Sequence, residues 1–170
     1  MTQHIPPLWH APETHLARHQ PDRPILYFSP RVLHQTAARF QAGFPGLVTY
    51  AVKANPHPAV LSNLVAAGVE TFDVASPGEM AAVRAASPTA VMHYNNPVRS
   101  QSEVQVGIES GVASWSVDEQ SELDKLVDVP RSCEIAVRFA LPVSGAAYDF
   151  GSKFGALVML SMPPAIIVFA

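Results

Sequence analysis

The sequence has one cysteine, Cys133, in 170 residues, which excludes an internal disulfide and fits a reducing compartment. With no Cys or His partner at ligand spacing, Cys133 reads as a small buried apolar residue beside Glu134-Ile-Ala-Val137. Charge is also scarce: 15% of residues are charged and the formal net charge is −3. No basic surface can therefore neutralise a run of phosphates, and nucleic acid and anionic membrane are poor partners. The longest uncharged stretch, Gly155 to Ala170, is broken by Pro163-Pro164 and falls short of the roughly 20 apolar residues of a membrane span. The N-terminus lacks a basic region followed by an apolar run, so no secretory signal is expected and the cytoplasm is the expected location. Glycines never occur in pairs. Gly145, Gly151 and Gly155 stand alone, so no loop presents consecutive backbone N–H groups to a phosphate. Small-molecule chemistry is the class that remains.

What is present is a chain 48% hydrophobic with 16 prolines, long enough for one core. Residues 1–24 show no helical or strand period and read as a mobile arm. His4, His10, His15 and His19 are irregularly spaced along it, and His34 follows inside a helix, a pattern that favours solvent-facing residues over a metal site. From residue 25 the pattern changes. Ile25-Leu-Tyr-Phe28 reads as a short strand, and residues 31–44 repeat apolar positions at helical spacing.

Repeating units follow, each a β-rich run, a polar or Pro/Gly turn and a helical stretch. Strands are expected at Leu47–Val52, Glu70–Val74, Ala90–Tyr94, Ala113–Val117 and Glu134–Phe139, with helices near Pro58–Ala67, Pro77–Ala86, Ser102–Ser110 and Asp118–Leu126. This βα repetition predicts a parallel sheet covered by helices, either doubly wound or closed as a barrel. Ser76-Pro-Gly-Glu79 and Ser100-Gln-Ser-Glu103 have capping-box spacing, and the first fits best.

Polar residues collect where strands end: Lys53 and Asn55, Asp73 and Ser76, Asn95 and Asn96, Asp118, and Arg138. In a parallel α/β sheet this carboxyl edge is where sites are assembled. A lysine at the end of a buried strand is a candidate nucleophile toward a carbonyl, because burial favours the neutral amine; the plainer reading is a lysine pointing into solvent.

The segments Tyr50-Ala-Val-Lys-Ala-Asn-Pro56, Gly68-Val-Glu-Thr-Phe-Asp-Val-Ala-Ser76 with Glu79, Tyr94-Asn-Asn-Pro97, Val137-Arg-Phe139 and Lys153-Phe-Gly155 together resemble the pyridoxal-phosphate-dependent decarboxylases of ornithine, lysine and diaminopimelate. The resemblance covers about residues 25 to 156. It implies an α/β fold, a partial (β/α)8 TIM-type barrel of the alanine-racemase kind with about five βα units and no C-terminal β-domain. It implies that Lys53 holds pyridoxal 5'-phosphate as a Schiff base and passes it to the substrate amine. Asp73 would sit near Lys53, Arg138 would orient the cofactor's oxygen side, and Glu79 would lie at the pocket edge or cap its helix. Lys153 is similar to a residue used at the family's homodimer interface.

Tyr94-Asn-Asn-Pro97 is closer to the ornithine/lysine group, so decarboxylation of ornithine is the expected reaction. Diaminopimelate decarboxylation is the alternative, and a non-catalytic regulatory homologue acting through dimer formation is a third reading. A barrel of about 250 residues is not completed here. The family's ring-stacking histidine, its glycine-rich phosphate loop and its partner to the pyridine nitrogen are all missing, so the expectation is a truncated, inactive form. Residues 157–170 are expected to be a tail departing from the family pattern.

Overall fold

The computed structural model describes residues 8–140 and 155–157. Its centre is a parallel five-stranded sheet built from β1 (Tyr50–Ala51), β2 (Thr71–Val74), β3 (Val91–Tyr94), β4 (Ser114–Val117) and β5 (Glu134–Val137). The spatial order is β1-β2-β3-β4-β5, with every neighbouring pair parallel. A doubly wound sheet reverses its strand order at a switch point. This sheet never reverses, so of the two architectures open at the sequence level it is the arc of a barrel.

Helices connect the strands: α3 (Pro58–Ala66), α4 (Pro77–Ala86), α5 (Gln101–Glu109) and the short α6 (Gln120–Asp124). Before the sheet lie α1 (Pro12–His19) and α2 (Pro30–Gly43). Many of the prolines are absorbed at helix starts. Pro30, Pro58 and Pro77 each begin a helix whose preceding residue, Ser29, His57 or Ser76, accepts a backbone N–H with its side chain. Proline suits this position because its missing N–H would be unsatisfied there anyway.

Cross-strand register sorts the sheet into two faces. On one, Phe72 and Val74 of β2, Met92 and Tyr94 of β3, and Trp115 and Val117 of β4 are buried against Leu61, Met80, Val83 and Val104 of the helices. Each such side chain contributes about 1.5–3 kcal/mol of burial. On the other face Asp73, His93, Ser114 and Glu134 stand in register on successive strands. That face is polar. It is the side toward which a barrel would close.

The strand expected over Glu134–Phe139 is interrupted at Arg138. Its N–H donates to Val117 at 2.8 Å and its carbonyl accepts from Ala156 at 2.8 Å. The chain thereby passes into a second, two-stranded parallel sheet of β6 (Phe139–Ala140) and β7 (Ala156–Leu157). Gly155 enters β7 with φ 116, where a side chain would also collide with the Ala140 backbone.

Three sequence expectations need correction. The arm contains a helix, α1, with Pro12 at its start, Glu13 in its first turn and Arg18 and His19 in its last; it buries no residue, so it carries no apolar stripe for periodicity to detect. Ile25–Phe28 is not a strand. Among the described residues it has no sheet partner, Leu26 is 90% exposed, and Tyr27 instead meets the His15 ring Nδ1 through its hydroxyl at 2.7 Å. The fully reciprocal capping box is at Ser100, not Ser76: Glu103 returns to the Ser100 N–H at 2.7 Å, whereas Glu79 reaches the Ala75 N–H at 2.8 Å.

Candidate functional site

The segment Tyr50-Ala-Val-Lys-Ala-Asn folds as a strand that stops early. β1 ends at Ala51 and Val52–Ala54 forms a 3-10 turn. Val52 is wholly buried beneath that turn, while the Tyr50 hydroxyl reaches over to donate to the Asn55 carbonyl at 3.4 Å. Burial pushes the Tyr50 hydroxyl pKa up. Asn55 Oδ1 then accepts the His57 N–H at 3.1 Å and His57 caps α3. Tyr50, Val52 and Asn55 thus fix a turn whose remaining large side chain, Lys53, is exposed. The sequence left Lys53 either prepared by strand burial or pointing into solvent. The turn decides for exposure, lifting it off the sheet into an open cleft.

That cleft measures about 470 Å³ and lies at the carboxyl ends of the strands, with Lys53, Asp73, Asn95, Asn96, Ser116 and Arg138 among the residues that line it. The volume is within the ~300–1,000 Å³ usual for small-molecule sites. The Asn95 amide donates to Asp73 Oδ1 at 2.9 Å, so the carboxylate is held from the neighbouring strand. Arg138 Nη1 donates to the Asn95 carbonyl at 3.3 Å, crossing the end of β4 from β5 to β3. Asn95 therefore bridges an acid and a guanidinium. Asn96 braces the wall by donating to the Ala75 carbonyl at 3.4 Å.

Of the residues singled out from sequence, Lys53, Asp73 and Arg138 share this cleft. Glu79 is not among its lining residues. Its carboxylate takes the Ala75 N–H while its own N–H takes Ser76 Oγ at 3.4 Å, which is the work of a residue at a helix start. Asp118 accepts from the Gly155 N–H at 3.1 Å and ties β4 to the entry of β7. Lys153 lies outside the described residues, as do Gly145, Gly151 and residues 158–170.

Two residues, one behind the cleft and one lining it, carried no role in the sequence reading. Arg99 is 2% exposed; its guanidinium lies 5.3 Å from the Tyr94 ring centroid and 5.6 Å from that of Trp115. It donates to the Ser116 carbonyl at 2.8 Å and the Tyr94 carbonyl at 3.4 Å, clamping the ends of β3 and β4. Burial lowers its pKa, opposed first by the Glu122 carboxylate. Glu122 in turn accepts the Arg99 N–H at 3.3 Å and pairs with Lys125 at 2.6 Å. The other residue, Ser116, had a legible signal: Ser114-Trp-Ser-Val117 alternates small polar with large apolar residues, the mark of a strand with one wet face.

Residues 31–165 match the family model described as pyridoxal-dependent decarboxylase, pyridoxal binding domain. The chain belongs to that decarboxylase family. Over 112 residues it is 37% identical to the lysine/ornithine decarboxylase of Selenomonas ruminantium, covering 65% of this chain and 28% of that one. Against the diaminopimelate decarboxylase of Zymomonas mobilis it is 29% identical over 128 residues, covering 71% and 30%. Among solved structures, the arginine decarboxylase of Paramecium bursaria Chlorella virus superposes with a TM-score of 0.75 at 25% identity, covering 85% of this chain and 40% of that one. The chain thus spans less than a third of the length of the two curated relatives. As a member of this decarboxylase family, it presents residues that suit the aldehyde-bearing end of pyridoxal phosphate: an exposed primary amine and, in the same cleft, a carboxylate held by an amide. No two glycines adjoin anywhere in the sequence, so the fit concerns that end alone.

Proposed function

We propose that this chain supplies the cofactor-capturing part of a pyridoxal-phosphate-dependent decarboxylase acting on a basic amino acid, with ornithine favoured. The observation that carries the reading is the exposed Lys53 amine in one cleft with Asp73 and Arg138. Bound there, pyridoxal phosphate supplies the electron sink for the pair left on the α-carbon when carbon dioxide departs. Lys53 would offer the amine that holds the aldehyde carbon, with the carbonyl oxygen leaving as water, until the substrate's own amine takes its place. Asp73, its carboxylate held by Asn95, favours a proton and positive charge on the nitrogen at that position. Arg138, resting on the Asn95 carbonyl, holds a fixed cation toward anionic oxygens of the ligand. Glu79 stiffens the Ala75 wall.

The substrate preference draws on the higher identity to the lysine/ornithine decarboxylase, 37%, than to the diaminopimelate decarboxylase, 29%. The latter keeps diaminopimelate as the second reading. A homodimer in the cytoplasm is the assembly and location we infer, from the family resemblance of Lys153 and the single cysteine. Among the described residues no helix is long and apolar enough to cross a membrane. The complete reaction is assigned to the whole barrel, and capture and exchange of the cofactor to this chain.

Titrating the chain loaded with pyridoxal phosphate with ornithine, lysine or diaminopimelate, and following visible absorbance, tests this. Ornithine and lysine are expected to shift the spectrum at lower concentration than diaminopimelate. The reverse order would transfer the assignment to diaminopimelate, and indifference to all three would contradict amine exchange.

A further inference from the structure

Ser116 is 2% exposed and its Oγ has no hydrogen-bond partner among the described residues, yet the residue lines the cleft. Its neighbours explain the direction it faces. Trp115 and Val117 point into the helix-side core, and Ser116 stands in register with Ala136, which also lines the cleft. The hydroxyl therefore lies on the opposite side from the core. The strand end that carries it is fixed, because Arg99 donates to the Ser116 carbonyl at 2.8 Å. In front, Arg138 reaches across β4 to the Asn95 carbonyl. A buried hydroxyl with no partner is disfavoured, and this one belongs to a residue that lines the same cleft as Lys53 and Arg138.

We propose that Ser116 is a ligand contact, its hydroxyl donating to an anionic oxygen of the molecule that Lys53 captures. Ser116 is thereby placed at the cleft floor as a binding residue, with Arg99 as the positioning residue behind it. Arg138 lines the same cleft, and a guanidinium among the lining groups favours an oxyanion over a neutral acceptor. The inference rests on the pyridoxal-phosphate reading above, with that cofactor's ring oxygen as the acceptor.

The test uses the full chain with pyridoxal phosphate as probe, comparing wild type, Ser116→Ala and Ser116→Thr. Two quantities are read: the melting temperature without ligand, and the dissociation constant with the visible absorbance maximum of the bound probe. Ser116→Ala is expected to leave the unliganded melting temperature unchanged or raised, because it removes an unsatisfied group. It should also weaken binding about tenfold and displace the absorbance maximum, whereas Ser116→Thr keeps the hydroxyl and retains most of the affinity. Wild-type affinity and spectrum in Ser116→Ala would overturn the inference while leaving the cofactor reading intact. A lowered melting temperature with unchanged affinity would show a structural hydroxyl, and also overturns it. Failure of the wild type itself to bind the probe would defeat the cofactor reading and this inference with it.

Discussion

Tyr94 is wholly buried between the sheet and its helices, and its hydroxyl has no partner among the described residues. Burial, reinforced by the Glu103 carboxylate and opposed by Arg99, pushes its pKa up to about 12. An unfolded tyrosine ionises near 10. Above that pH the unfolded chain releases the proton first, so the stability Tyr94 provides is complete below about pH 10 and is lost as pH rises through about 12. Tyr94→Phe should leave neutral-pH stability unchanged or raise it by about 1 kcal/mol, because it removes an unpartnered buried hydroxyl, and flatten the alkaline loss. Melting temperatures from pH 9 to 12 check this; an equally steep loss in the variant would assign it elsewhere. Residues of this kind show how far a sequence can be read. Lys53, Asp73 and Arg138 were legible because their strand-end positions and motifs coincide. The exposure of Lys53 was one of two readings, and the 3-10 turn braced by Tyr50 and Asn55 decides for it. Arg99 left no signal, because its partners are two rings and two carbonyls from separate strands.

At the scale of elements, α5 shows how closely helix and sheet approach. Gly107 lies on its buried face, and a Cβ there would overlap the Trp115 ring. Glycine to alanine within a helix usually gains up to roughly 1 kcal/mol. Gly107→Ala is expected to reverse that sign and destabilise by about 1–3 kcal/mol, because Trp115 is fully buried and has no room to yield. Urea unfolding measures it, and a midpoint at or above wild type would contradict the packing described. The helices after residue 30 were legible from their helical stretches and, for α4 and α5, from the capping signals at Ser76 and Ser100. α1 and Ile25–Phe28 were not. A helix that buries nothing has no period to find, and an apolar run becomes a strand only if a neighbour in register accepts its hydrogen bonds. The Trp9, His15 and His19 rings instead pack on one another, with centroids 4.9 to 5.2 Å apart.

For the whole molecule, repetition of βα units left two architectures open, and strand order decided between them. Sequential parallel pairing sends Lys53, Asp73, Asn95, Ser116 and Arg138 from successive strand ends to one edge. These residues lie up to 85 positions apart, and none adjoins another in sequence, which is why the cleft's internal bonds could not be read from it. The same arrangement makes the central claim direct to test. Incubating the chain with pyridoxal phosphate, reducing with borohydride and mapping the labelled peptides should place the label on Lys53, with capture abolished in Lys53→Ala. Label distributed over other lysines, or undiminished in Lys53→Ala, would contradict the account.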